Sequence, residues 1–209
     1  MKAYIYSGGE IFPQYISEKP DGEDIVIAAD SGYNNAKKLG VTPKILIGDF
    51  DSIKGHPDDV DEIIQLPCEK DVTDTQYAIE VAIKKGAREI VIICGTGGRF
   101  DHAISNMCIL EGLYKKGIRA TIVSGQNRIR YIKDTGFILI RDKNYKYFSI
   151  LAADEKVKGV TIEGGKYPLS KKTILREHQF AVSNEIEKNC ALITVKKGGI
   201  YIIESRDMT

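Results

Sequence analysis

Two carboxylates stand one residue apart in Gly48-Asp49-Phe50-Asp51-Ser52, directly after the apolar run Ile45-Leu46-Ile47. If that run continues as a strand, successive side chains alternate between its faces, so Asp49 and Asp51 point the same way and Phe50 points into the protein. Carboxylates this close on an exposed strand end repel each other unless a cation lies between them. An oxygen-only pair suits Mg²⁺, which keeps several waters and is otherwise held by substrate phosphates. The same residues also suit an Asx-type turn, because Asp and Ser are common turn formers.

Other acids fall at comparable places. Asp30 follows the apolar run Ile25–Ala29, and Lys70-Asp71-Val72-Thr73-Asp74-Thr75-Gln76 precedes a helical stretch. Thr73 and Gln76 have the spacing of a capping box, which sets Asp74 in the first turn of that helix. An acid there is favoured by the helix dipole whatever else it does. Gly95-Thr96-Gly97-Gly98-Arg99-Phe100-Asp101-His102 follows the run Ile90–Cys94. A glycine-rich turn at a strand end exposes amides that can cradle phosphate oxygens, and Arg99 offers a planar, permanently charged fork to the same ligand. This stretch is neither a Walker A sequence nor a dinucleotide fingerprint. Ser7-Gly8-Gly9, after the run Ala3–Tyr6, is a second candidate phosphate loop or simply a tight turn, and Lys70 could meet a phosphate or water.

Short apolar strands alternate with helical stretches up to about residue 125. The strand candidates are Ala3–Tyr6, Ile25–Ala29, Ile45–Ile47, Ile90–Cys94 and Ala120–Val123; the helical ones are Tyr33–Leu39, Asp74–Lys85 and Ala103–Lys116. Each of those helices ends near a glycine able to cap it (Gly40, Gly86, Gly117). That alternation predicts βαβ units and a mostly parallel, helix-covered sheet over residues 1–125, with ligands beyond the carboxyl ends of the strands. From 126 to 209 the segments are short, β-rich and separated by turn signals such as Gly164-Gly165 and Gly198-Gly199. This half is expected to be an all-β sandwich or open barrel.

Thirty basic against twenty-nine acidic residues leave a net charge of +1, which excludes a broad basic footprint for nucleic acid. No apolar run approaches the ~20 residues of a membrane span. The residues from Met1 show no signal-peptide core. Four scattered cysteines without metal-ligand spacing fit a reducing compartment, with Cys94 and Cys108 as small core residues, so a cytoplasmic location is expected.

Asp30-Ser31-Gly32, Gly48-Asp49-Phe50-Asp51-Ser52, Asp71-x-x-Asp74 and Gly97-Gly98-Arg99-x-Asp101-His102, in this order, closely resemble the thiamine pyrophosphokinase (thiamine diphosphokinase) family. Gly165-Lys166-Tyr167-Pro168-Leu169 and Ser183-Asn184 resemble its C-terminal domain. The resemblance spans nearly the whole chain. It implies a Rossmann-like N-terminal domain, a C-terminal β-sandwich, and a homodimer with thiamine bound where the subunits meet. It implies transfer of the terminal diphosphate of ATP to the thiamine hydroxyl, giving thiamine diphosphate and AMP. In that reading Asp30, Asp49, Asp51 and Asp74 hold Mg²⁺. Ser7, Gly8, Gly9, Lys70, Asp71, Gly95, Thr96, Gly97, Gly98 and Arg99 receive ATP, and Ser183 and Asn184 meet thiamine. Asp101, with Arg99 and Asp74, serves the chemistry, accepting the hydroxyl proton or fixing the substrate. Some family members cover the thiamine ring with a C-terminal tryptophan; this chain has none. The rival readings are a metal-dependent phosphohydrolase, a diphosphotransferase with another acceptor, and a non-catalytic nucleotide sensor.

Overall fold

The computed structural model describes residues 1–50, 59–67 and 71–207. Asp51, Ser52, Cys68 and Lys70 lie outside the described residues. The chain divides into two compact units, Met1–Gly125 and Gln126–Thr209.

The N-terminal unit is built on six parallel strands: β1 (Lys2–Tyr6), β2 (Ile25–Ala29), β3 (Ile45–Gly48), β4 (Glu62–Gln65), β5 (Glu89–Ile93) and β6 (Arg119–Val123). Their order is β4-β3-β2-β1-β5-β6, so the direction of strand addition reverses between β1 and β5. In open α/β sheets such a reversal opens a crevice at the carboxyl ends of the strands. Three helices fill the crossovers: α1 (Gly32–Lys38), α2 (Asp74–Lys84) and α3 (Phe100–Lys115). Tyr33 and Ala36 of α1 pack with Tyr4, Tyr6, Val26, Ala28, Leu46, Val91 and Ile93, the residues of alternate parity on one sheet face. Helix α2 packs against β1, β2 and β3, and α3 against β6. Thr73 caps α2, its Oγ1 accepting from the Gln76 amide at 3.2 Å, as the capping-box spacing requires.

Two elements carry little hydrophobic pattern. The edge strand β4 is mostly exposed and pairs with β3 in parallel. Helix α3 begins at Phe100 rather than Ala103, which puts Asp101 and His102 in its first turn. Cys94 is buried as expected, but Cys108 is exposed. The buried stripe of α3 runs through Asn106, Leu110 and Leu113, and a residue two places from Asn106 and from Leu110 falls on the opposite side of the helix.

The C-terminal unit is wholly antiparallel. One sheet orders β7 (Asn127–Lys133), β13 (Gly199–Ser205) and β9 (Tyr147–Ala152); the other orders β11 (Leu169–Leu175), β10 (Lys156–Glu163), β12 (Cys190–Thr194) and β8 (Gly136–Ile140). Strand β11 carries mainly exposed side chains, so its sequence gave no apolar period to read. No helix among the described residues is long and apolar enough to cross a membrane.

The first sheet of this unit holds a buried charge network. The β7–β13 register sets Glu204 opposite Arg128. Its carboxylate, only 3% exposed, accepts from Arg128 Nε at 2.6 Å and Nη2 at 2.5 Å, and also from Arg130 Nη1. Arg128 also pairs with Asp142 at 3.0 Å and lies 4.5 Å over the Tyr145 ring. Removing one member of such a network leaves uncompensated charge in a place that water reaches poorly. Glu204→Ala is therefore expected to lower the stability of the C-terminal unit by about 3–5 kcal/mol. Denaturant melts followed by tyrosine fluorescence measure this directly; a loss below about 1 kcal/mol would mean that solvent replaces the carboxylate.

Candidate active site

A cleft opens at the carboxyl ends of β1, β2 and β5, where the strand order reverses. Ser7, Gly8 and Gly9 line it from β1, Asp30 from β2, Asp74 from the start of α2, and Gly95, Gly97, Gly98 and Arg99 from β5. The structure thus gathers nine of the sequence-singled residues, from four separate segments, around one space. Asp49, Asp71, Thr96 and Asp101 do not line it, and Asp51 and Lys70 lie outside the described residues.

Backbone geometry shapes this cleft. Asp30, Phe50 and Cys94, just beyond β2, β3 and β5, have φ of 49°, 67° and 58°. Left-handed non-glycine residues are uncommon and cluster where surrounding structure over-determines them, often at ligand sites. They also correct one sequence argument. Strand β3 ends at Gly48 and Phe50 turns left-handed, so strict strand alternation does not carry past Gly48. The two glycine loops approach each other closely. Gly9 N–H donates to the Cys94 carbonyl at 3.0 Å, and a Cβ on Gly9 would stand 2.2 Å from that oxygen. No other residue type fits there.

Three polar residues that the sequence reading passed over hold the loops. Asn35 Nδ2, on α1, donates to the Ser7 and Gly9 carbonyls, each at 2.9 Å. Asn106 Nδ2, on α3, donates to the Gly95 carbonyl at 2.7 Å. Thr75 Oγ1 shares a hydrogen bond with Ser7 Oγ at 3.0 Å. A signal for the asparagines exists in hindsight. Asn106 occupies a core position of the α3 stripe, and a polar side chain in such a position must find a buried partner.

Cys94 lines the cleft, but burial pushes its thiol up to about 12, so it is no nucleophile near neutral pH. Arg99 reaches Asp101 with a bidentate pair, Nη2 to Oδ2 at 2.6 Å and Nε to Oδ1 at 3.2 Å. The guanidinium hydrogen bond, with help from the His102 amide, draws the Asp101 carboxyl down to about 2. The same bidentate contact holds the Arg99 guanidinium in one orientation.

The donor set on the cleft wall suits a hard cation. Asp30 and Asp74 are half-buried and offer oxygen only. Among the described residues no three acidic, histidine or cysteine side chains converge as a metal cage. Two carboxylates beside glycine loops are a donor set that Mg²⁺ can accept when a ligand supplies further oxygens.

In the C-terminal unit, Ser183 is exposed with φ 57°, and its N–H donates to Ser149 Oγ at 3.0 Å. Asn184, the other residue expected to meet thiamine, has its side-chain amide engaged within the unit. Its Oδ1 accepts from the Tyr167 and Glu185 amides at 3.0 and 2.9 Å, and its Nδ2 donates to the Tyr167 carbonyl at 2.8 Å. The side chain is buried and fastens the Gly165–Pro168 turn to its own segment, which leaves its amide turned inward.

Two family models cover this chain: "thiamin pyrophosphokinase, catalytic domain" matches residues 17–122, and "thiamin pyrophosphokinase, vitamin B1 binding domain" matches residues 136–200. The chain is 29% identical over 196 residues to the thiamine pyrophosphokinase of Bacillus subtilis (strain 168), with 90% of each covered. It is similar to the crystal structure of thiamine pyrophosphokinase from Bacillus subtilis, with a TM-score of 0.88 at 28% identity over 100% of both chains. It is also similar to that of the thiamin pyrophosphokinase from Geobacillus thermodenitrificans, with a TM-score of 0.85 at 27% identity over 100% of this chain and 99% of that one. The cleft, its two glycine loops and its paired acids are those of a chain that belongs to the thiamin pyrophosphokinase family.

Proposed function

We propose that this protein, a thiamine diphosphokinase, takes its diphosphate from ATP and places it on the thiamine hydroxyl, releasing AMP. The observation that carries the choice of donor is the cleft of the N-terminal unit, where Gly8–Gly9 and Gly95–Gly98 face Asp30 and Asp74 across a space rimmed by Arg99. Backbone amides and a guanidinium on one side, with carboxylates on the other, suit a polyphosphate chain escorted by a cation. The strand reversal above the cleft supports a Rossmann-like nucleotide domain. Nothing observed favours a hydrolase or a sensor.

The thiamine hydroxyl oxygen attacks the β-phosphorus. The bond from that phosphorus to the oxygen bridging it to the α-phosphorus breaks, AMP departs with the bridging oxygen, and the hydroxyl proton is released. Asp30 and Asp74 would hold Mg²⁺ at the cleft, and the sequence motif adds Asp49 and Asp51 to that reading. When bound, that ion neutralises charge on the phosphate oxygens. The residues of the chain position the rest. The glycine loops hold the phosphates in line and Arg99 forks onto their oxygens, while Asp101 keeps that fork splayed toward the rim. Transfer through a loose transition state needs positioning and charge neutralisation more than a strong base, which accords with the Asp101 carboxyl being drawn down by the Arg99 guanidinium. Ser183, exposed and held left-handed, is the reading for a thiamine contact. We also read the protein as a cytoplasmic homodimer whose subunits share sites. Exposed Ile138, Ile140 and Leu192, on one face of β8 and β12, support a covering partner.

Asp74→Asn removes a formal charge at constant volume. It should lower kcat about 10²–10³-fold at saturating Mg²⁺ while leaving the melting temperature within a few degrees. AMP release that needs thiamine, followed by chromatography, is the assay. A near wild-type rate in the variant, or AMP formed without thiamine, would refute the assignment.

Asp101→Asn should weaken ATP use through Arg99, raising the ATP KM several-fold. Because Asp101 is ionised throughout pH 5–9, its removal leaves the acidic limb of the pH–rate profile where it was. Disappearance of that limb would restore Asp101 as the base.

In sedimentation velocity at micromolar concentration the protein should run as a dimer, and the double variant Ile138→Asp, Ile140→Asp as a monomer. A monomeric wild type with full activity would contradict the shared-site reading.

A further inference from the structure

Two buried asparagines outside the acid and glycine motifs determine how the phosphate loops present their amides. Asn35 and Asn106 are each 6% exposed, lie on different helices, and end on carbonyls of different loops. In a planar trans peptide the carbonyl of one residue and the N–H of the next point in opposite directions. Tying the Ser7 carbonyl to α1 therefore turns the Gly8 N–H away from α1. Tying the Gly9 carbonyl does the same to the Glu10 N–H, and tying the Gly95 carbonyl to α3 turns the Thr96 N–H away from α3. Among the described residues no backbone carbonyl takes the Gly8 or the Thr96 amide. Without the asparagine amides, three buried or half-buried carbonyls would lack these donors. Their peptides would then gain by flipping toward solvent, which would direct carbonyl oxygens at the anionic ligand.

We propose that Asn35 and Asn106 are positioning residues for the donor nucleotide, setting peptide orientation in the loops after β1 and β5 so that amides and not carbonyls meet the phosphate chain. The inference rests on the reading of the cleft as the ATP site. It adds that recognition is aimed at the polyphosphate rather than the base, and that it is fixed from behind the loops by side chains that do not touch the ligand. Thr75, whose hydroxyl meets Ser7, steadies the first loop from the α2 side.

The test compares wild type with Asn106→Ala, Asn35→Ala, Asn106→Ser and Asn35→Ser, using the full chain. Three ligands are titrated by calorimetry in Mg²⁺ without thiamine: ATP, AMP and inorganic tripolyphosphate. Each alanine variant should bind ATP and tripolyphosphate about tenfold more weakly and AMP less than threefold more weakly. In steady state the ATP KM should rise while the thiamine KM stays put. Each serine variant, with a shortened hydroxyl donor, should recover part of the ATP affinity. A merely structural role would weaken all three ligands equally, raise both KM values, or lower melting temperature without changing the ATP-to-AMP ratio, and any of these overturns the proposal. ATP affinity within twofold of wild type also overturns it, as does failure of all four variants to fold. If the wild type itself binds neither ATP nor tripolyphosphate, the reading of the cleft fails first, and that outcome is distinct from the others.

Discussion

One backbone contact sets the dimensions of the candidate active site: the Gly9 N–H to Cys94 carbonyl bond at 3.0 Å, which draws together the loops after β1 and β5. It demands glycine at position 9, since a Cβ there would collide with the carbonyl it approaches. It also accompanies a left-handed Cys94, φ 58°, at the end of a fully buried strand. A non-glycine residue persists in that conformation only where its neighbours fix it. Here the neighbours are the Val123 carbonyl, which accepts from the Cys94 amide at 2.8 Å, and the Gly9 amide on the other side. The cleft is thus shaped before any ligand arrives, and the acids of β2 and α2 are arranged around a fixed gap between two loops.

The parallel fold was legible because its helices cover the sheet. Burial on both faces makes β1, β2, β3 and β5 continuous apolar runs, and the helices between them carry caps that punctuate the sequence, Thr73 most clearly. What escaped reading were β4 and β11, whose side chains are largely exposed. Each lies at the end of its sheet and joins its neighbour through a backbone ladder that any sequence can supply, although Ile174 of β11 is fully buried. Hydrophobic period reports burial, and an edge strand need not be buried.

The site divides along a similar line. Acids and glycines just past strand ends announce themselves, as Asp30 and Gly95–Gly98 do, whereas Asp74 opens a helix where the dipole alone would favour an acid. Asn35 and Asn106 were invisible because an asparagine within a helix reads as an ordinary polar residue until burial is known. Asn184 shows the converse. Its motif drew attention to this segment, yet the amide is consumed by the turn it stabilises, and the neighbouring Ser183 is exposed. Asp49 lies just past the end of β3 at Gly48 and is followed by a left-handed Phe50, a turn that strand alternation alone does not foresee.

The two arginine–carboxylate pairs of this chain show how burial decides what an ion pair can do. Arg128 and Glu204 are 15% and 3% exposed, so separating them would strand charge in a poorly solvated sheet. Arg99 and Asp101 make a bidentate contact of the same chemistry at 75% and 62% exposure. Water stands ready to replace either partner there, and the contact adds little to stability. That weakness suits the phosphate role proposed for Arg99. A guanidinium locked as tightly as Arg128 would have to be released against a large penalty before it could serve a ligand, whereas one held at the surface by Asp101 is oriented without being locked. The exposed pair is therefore the one suited to function, and the buried pair the one suited to holding a sheet together.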